Sequence, residues 1–339
     1  MNIQHQCPLD QLNTLGFPAT AEAFVSVTSE QMLTDAVHYA DKQGLKLHIL
    51  GGGSNILVTP NVSGLVVKMD IKGRTVNMSG DSALLTLGAG EEWHKTVAWS
   101  VAQGFSGIES MALIPGSVGA APVQNIGAYG TELKDNFVHL RAYDIEQKRW
   151  VDFDKKACQF AYRDSLFKQQ PGRYIITEVT LSLSKVAAPR LKYAALQGFF
   201  DQKGINAPSL SQIFDAVCEV RRSKLPDPAT LGNAGSFFKN PVITNSQCDA
   251  LISHFPDLVR YPDQPGYTKL AAGWLIDQCH WKGKRQGNVG VYDKQALVLV
   301  HYGDGQLDEL LDLSEQIQTS VQSKFGVSLE REPQIFPLI

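Results

Sequence analysis

Apolar residues recur along the chain with two different periods. Leu33, Ala36, Val37 and Ala40 share one helical face, Thr28 and Gln31 have the spacing of a capping box, and Gly44 supplies a stop. Residues 45–50, LKLHIL, alternate in part like a strand and run straight into Gly51, Gly52 and Gly53, so a strand feeds a glycine-rich turn. Further strands are predicted at 64–68, 82–87, 138–143 and 174–183, with one helix at 91–103 ending at Gly104. Short strands outnumber helices between residues 54 and 183, which predicts an α+β fold and not a regular doubly wound sheet.

The pattern weakens over residues 185–209, which resemble a connector, and a domain boundary is expected near Asn206. Beyond it Ser209 and Gln212 form a second capping box, and Leu210, Ile213, Phe214, Val217 and Val220 make a helical stripe. Two more helices are expected at 269–279 and 306–325, the latter with Leu307, Leu310, Leu311, Ile317, Val321 and Phe325 inward and Gly326 as its stop. At 339 residues the chain exceeds what one core usually organises, so two or three domains are expected.

A net charge of -3 gives no overall attraction to nucleic acid, so any anion has to be caught locally. The five cysteines include no C-x-x-C pair and the histidines no H-E-x-x-H spacing; no metal site and a reducing cytoplasm are expected. The N-terminal MNIQHQCPLD lacks the basic start and apolar core of a secretory signal, and no apolar run approaches a membrane span.

Chemistry concentrates in three stretches. Gly51, Gly52, Gly53, Ser54 and Asn55 match neither the Walker loop nor G-x-G-x-x-G, yet such a turn can aim several backbone N–H groups at one phosphate. Residues 114–130, IPGSVGAAPVQNIGAYG, are small almost throughout, as a backbone approaching a large flat ligand requires, with Gln124 and Asn125 placed to bond a heterocycle's edge. The alternative is a buried crossover between sheets, but the pairing of the two loops favours a dinucleotide site. In GNAGSFFKNP, residues 232–241, adjacent phenylalanines suggest a strand, while the glycines before and the proline after keep it short and present Ser236.

Together GGGSN, ALIPGSVGAAPVQNIGAYG, FAYRDSLFK, KLPDP, GNAGSFFKNP and AAGWLIDQ resemble the UDP-N-acetylenolpyruvoylglucosamine reductase (MurB) family over residues 14–332. The resemblance implies a vanillyl-alcohol-oxidase/PCMH-type FAD-binding fold in two subdomains, 1–67 and 68–205, then a smaller α/β substrate domain, 206–339. It implies a monomer in which NADPH reduces non-covalent FAD, and the flavin then saturates the enolpyruvyl ether of UDP-N-acetylglucosamine enolpyruvate to give UDP-N-acetylmuramate. By resemblance, Gly51, Gly52, Gly53, Ser54, Asn55, Pro115, Gly116, Ser117, Gly119, Gln124, Asn125, Gly127, Ala128, Tyr129, Gly130 and Arg221 hold FAD.

The same resemblance makes Arg163 the arginine facing the enolpyruvyl carboxylate, Glu332 the partner of the developing enolate and Ser236 the proton donor. A guanidinium suits the first role because it is forked and permanently charged. Tyr162, Lys224, Asn240, Tyr261 and Gln295 fall to the nucleotide-sugar site, and Tyr193 implies the form that closes a tyrosine-bearing loop over substrate. Two departures stand out: PQIFPLI follows Glu332 in place of the family's Val-Arg run, and Ala120 and Ala121 stand where another glycine is common. An oxygen-using oxidase of the same fold and a non-catalytic nucleotide-sugar binder are the competing readings; the first is told apart by its electron acceptor, the second by lack of colour.

Overall fold

The computed structural model describes residues 1–186 and 194–337. Its first layer is a sheet ordered Gln4–Pro8, Thr20–Val27, Asn61–Met69, Leu47–Leu50, in which the last three strands are parallel and the first is antiparallel. Helix Glu30–Gln43 covers it with the expected face of Leu33, Ala36, Val37 and Ala40. Ser29, not Thr28, caps that helix by accepting from the Met32 N–H, because the Thr28 hydroxyl turns to the Met32 sulfur instead. Gly44 ends it at φ 66°, the left-handed geometry that glycine adopts without penalty.

The second layer is a five-stranded antiparallel sheet ordered Arg149–Asp154, Phe137–Asp144, Tyr174–Ser184, Ser82–Gly88, Arg74–Ser79. Helix Trp93–Ala102 packs beside it, and both layers share one continuous core that includes Val25, Val67, Leu85 and Val179. Two features of this core bear on the sequence reading. A helix, Ala194–Gln202, lies within the stretch read as a connector, and its Leu196 and Phe200, one turn apart, are buried. Helix Leu210–Lys224, capped by the Ser209–Gln212 box, buries Ile213, Ala216, Val217 and Cys218 in the same core, so packing changes hands after this helix and not at Asn206.

The remaining residues build a second core around a sheet ordered Gly232–Ser236, Val298–His301, Val289–Val291, Arg285–Gln286. Helix Leu307–Phe325 lays Leu310, Leu313, Ile317 and Val321 against it. Strand Tyr267–Leu270 takes the start of the segment read as a helix at 269–279, leaving helix Ala272–Gln278. The final strand, Gln334–Phe336, returns to pair in parallel with Ile56–Val58, immediately after the glycine turn. This return brings the two ends of the chemistry-bearing sequence together. Among the described residues no helix is long and apolar enough to cross a membrane, and no cluster of three potential metal ligands forms.

Candidate active site

Strand Leu47–Leu50 ends where the sheet ends, and the chain turns through residues 51–55 against the loop at 115–117. The contact is backbone on backbone: a Cβ at Gly52 would stand 2.5 Å from the Gly116 Cα. Gly53 at φ 64° and Gly116 at φ 116° adopt conformations that side chains resist. The Ser54 hydroxyl donates to the Pro115 carbonyl at 3.1 Å, the Thr14 N–H to the Gly53 carbonyl at 3.0 Å, and the Lys68 ammonium to the Gly51 carbonyl. The glycines are therefore what lets two loops form one wall.

That wall bounds a cavity of about 580 Å³. Residues 51–55, Pro115, Gly116, Ser117, Gly119, Gln124, Gly127 and Arg221 line it, as expected from the sequence. Two of these leave buried polar atoms without a hydrogen-bond partner: Ser117 Oγ and Arg221 Nε. Arg221 donates through Nη2 to the Leu113 carbonyl at 3.2 Å but makes no ion pair among the described residues. Burial pushes its pKa down. An orphaned hydroxyl and an unpaired buried guanidinium beside a glycine cradle fit a dinucleotide cofactor carrying phosphates.

Four residues assigned to the cofactor do not line the cavity. Asn125 is fully buried at φ 43°; its amide donates to Glu132 Oε2 at 3.1 Å and the Ala161 carbonyl at 3.0 Å, and accepts from the Lys134 N–H at 3.0 Å. It braces the loop that carries Arg163. Ala128, Tyr129 and Gly130 belong to a hairpin between Gly127–Ala128 and Thr131–Glu132, whose two central residues both have positive φ, 51° and 79°. Turn geometry, and not ligand approach, accounts for that glycine.

The opposite wall is made of side chains. Arg163 occupies the third position of a tight turn closed by the Ala161–Asp164 bridge, with φ 53° where glycine is the usual residue. Its Nη2 donates to the Gly127 carbonyl at 2.9 Å and its Nε lies 3.3 Å from Glu332 Oε1. Gln124 Nε2 reaches the same carboxylate oxygen at 3.4 Å. The Glu332 N–H donates to the Phe237 carbonyl at 2.9 Å, its carbonyl accepts from Asn55 Nδ2 at 3.4 Å, and the Gln334 N–H bonds the Asn55 carbonyl at 3.2 Å. The C-terminal segment thus aims Glu332 into the cavity between the glycine turn and the Ser236 strand, a placement Pro333 supports by holding Glu332 extended. Burial pushes the Glu332 carboxyl up, against the opposing charges of Arg163, Lys168 and Lys239.

Ser236 ends strand Gly232–Ser236 with its side chain exposed at the cavity surface, after Gly235 at φ 70°. Phe237 and Phe238 are both buried in the second core and neither walls the cavity. They lie just past the strand, where the Phe237 N–H bonds the Leu297 carbonyl and Phe238 bridges to Arg331. Their burial anchors Ser236 from behind, at about 1.5–3 kcal/mol per ring.

A second recess, about 350 Å³, is lined by Asn240, Tyr261 and Gln295, with Trp274, Lys282 and Lys294, which the sequence reading did not single out. Tyr162 lines neither space but touches a lining residue of each: its hydroxyl faces the Asn240 backbone N–H, and its ring lies 5.4 Å from the Arg163 guanidinium and 4.0 Å from the Lys269 ammonium. Lys224 is exposed one turn beyond Arg221 on the same helix and lines neither space. Tyr193 lies outside the described residues. Lys168, on the wall beside Arg163, was also missed, although it closes the quoted FAYRDSLFK.

Residues 21–151 match a family described as FAD binding domain, and residues 227–336 the UDP-N-acetylenolpyruvoylglucosamine reductase, C-terminal domain. UDP-N-acetylenolpyruvoylglucosamine reductase of Ralstonia nicotianae is 50% identical over 96% of this chain and 97% of its own length. That of Pseudomonas aeruginosa is 46% identical over 99% of both. Among solved structures, the reductase of Thermus caldophilus superposes with a TM-score of 0.68 over 99% of this chain and 98% of its own, at 22% identity. A 6-hydroxy-D-nicotine oxidase from Arthrobacter nicotinovorans gives 0.52 over 91% and 81%, at 12% identity. The last two likenesses concern the fold, which is the α+β, PCMH-type FAD-binding fold followed by a smaller domain.

Proposed function

The chain belongs to the UDP-N-acetylenolpyruvoylglucosamine reductase family and is an FAD-dependent oxidoreductase of peptidoglycan precursor synthesis that uses NADPH; from that premise we propose how its residues divide the work. Residues 51–55, with the Gly116 and Ser117 N–H groups, would hold the FAD diphosphate through the backbone, Ser117 would give its orphaned hydroxyl, and Arg221 would supply a buried guanidinium that makes no ion pair among the described residues. FAD held there would supply the hydride chemistry that links NADPH to the terminal carbon of the enolpyruvyl double bond. Everything else falls to the protein.

Arg163 faces the substrate carboxylate, into which negative charge spreads as the double bond is reduced. Glu332, whose burial favours the protonated carboxyl, shares that charge as a hydrogen-bond donor. Ser236 Oγ gives its proton to the second carbon, so hydride and proton together saturate the bond, and solvent returns a proton to the serine. The UDP-sugar extends past Tyr162 into the recess of Asn240, Tyr261 and Gln295; Lys224, which lines neither space, and Tyr193 are proposed for its diphosphate on the family resemblance alone. We further infer a monomer acting in the cytoplasm, with FAD shared by units 1–67 and 68–205 together with helix Leu210–Lys224, and substrate closed in by the rest.

The observation that carries this assignment is the convergence of Arg163, Glu332 and Ser236, from three distant parts of the chain, on the cavity that the glycine loops bound. An anaerobic visible spectrum tests it. Flavin bands that bleach with NADPH and return with UDP-N-acetylglucosamine enolpyruvate are expected; bleaching without return would point to a different acceptor.

A further inference from the structure

Arg163 poses a structural problem. It sits in a tight turn at φ 53°, a conformation that favours glycine, and yet its side chain is the one aimed at Glu332. Such a residue persists only where its surroundings over-determine it. Its guanidinium is held at one end, by the Gly127 carbonyl and Glu332, and the Ala161–Asp164 bridge closes the ends of the turn, which leaves the Arg163 carbonyl at its apex to be held separately.

The peptide is held by Lys168. Its ammonium donates to the Arg163 carbonyl at 3.0 Å from the short helix Leu166–Gln169, which the Ser165 hydroxyl caps. Ser165 also donates to the Val123 carbonyl at 2.6 Å, and Gln169 donates to Asp164 at 2.9 Å, so the helix that carries Lys168 is itself fastened to both loops. Lys168 lines the cavity, makes no ion pair among the described residues, and has Glu332, Glu330, Asp164 and Lys239 as its charged neighbours. A half-buried lysine spent on one backbone carbonyl is a costly arrangement unless that carbonyl's position matters.

We propose that Lys168 is a positioning residue for the reduction: by holding the Arg163 carbonyl it keeps the left-handed turn that aims the Arg163 guanidinium at the enolpyruvyl carboxylate. This rests on the role given to Arg163 above. Lys168 touches no reacting atom; removing it lets the turn relax and moves the guanidinium, and a misplacement of an ångström costs about a hundredfold in rate.

The test is a double-mutant cycle read on the two half-reactions separately by anaerobic stopped flow. Lys168→Met is expected to slow reoxidation of NADPH-reduced flavin by the enolpyruvyl UDP-sugar by about tenfold to a hundredfold, with reduction by NADPH and FAD occupancy kept. In an Arg163→Met background the same change should add less than about twofold, since nothing remains to aim. Lys168→Arg, which can still donate to the carbonyl, should restore most of the rate. A fully additive loss, or equal loss in both half-reactions, would overturn the proposal by showing that Lys168 acts on ligand directly or only on folding. If Arg163→Met itself leaves reoxidation intact, the role of Arg163 fails first, and an intact Lys168→Met with a crippled Arg163→Met sinks the Lys168 proposal alone.

Discussion

The two walls of the cavity are built on opposite principles. The cofactor wall, residues 51–55 with 115–119, closes backbone on backbone because glycines stand at its contacts; the reaction wall sets three side chains, Arg163, Ser236 and Glu332, from three separate segments. A backbone wall tolerates no added atom, whereas a side-chain wall tolerates changes that keep its fold but not its chemistry. Damage to the first should remove the cofactor and with it every step, and damage to the second should spare the flavin and stop only the substrate.

Gly52→Ala breaks the first wall most severely, because the new Cβ meets the Gly116 Cα at 2.5 Å and neither backbone has room to yield. FAD affinity is expected to fall by about a hundredfold or more, roughly 3 kcal/mol, with turnover lost at ordinary cofactor concentration. Fluorescence titration of the stripped protein measures it; unchanged affinity would detach the glycine cradle from the cofactor. Glu332→Gln addresses the second wall: reoxidation by the enolpyruvyl sugar should slow by about 10–100-fold while reduction by NADPH keeps its rate. A matching loss in both half-reactions would erase the distinction between the walls. Arg221→Ala should weaken FAD about tenfold, and Ser236→Ala, on the other wall, should not weaken it at all; the same titration compares them.

The smallest effect is one of pH. Glu332 has its pKa raised above the ordinary 4.5, so its burial favours folding below that value, and the contribution is lost as pH rises through the raised one. Glu332→Gln, which does not ionise, should therefore gain in melting temperature relative to the parent as pH rises, by about 1–2 °C in the apoprotein. A difference that does not change with pH would mean that the carboxyl is not buried as described.

The contrast between the walls also explains what the sequence disclosed. A wall made of consecutive small residues leaves a local signal: neither Gly51 to Asn55, which alone reads equally as a tight turn, nor residues 114–130, which could be a buried crossover, points to a dinucleotide until the two are paired. Where a local turn needs glycine for its own sake, as at Gly130, the same signal misleads. A wall made of single side chains far apart leaves no local trace: Arg163, Ser236 and Glu332 were singled out through family resemblance, and Lys168 was passed over inside a quoted motif. The strand and helix periods placed most elements, but the Phe237–Phe238 pair lies just past the short strand, and both rings are buried in the second core. The helix Ala194–Gln202 was missed because it buries few residues, Leu196 and Phe200, and so writes a faint stripe.

The most direct test of the account is to reduce Ser236→Ala anaerobically with NADPH and then add UDP-N-acetylglucosamine enolpyruvate. The flavin should bleach at close to the parental rate and recover slower than the parent by about a thousandfold. Recovery at the parental rate would contradict the assignment of the proton to Ser236, and failure to bleach would show that the two walls do not act separately.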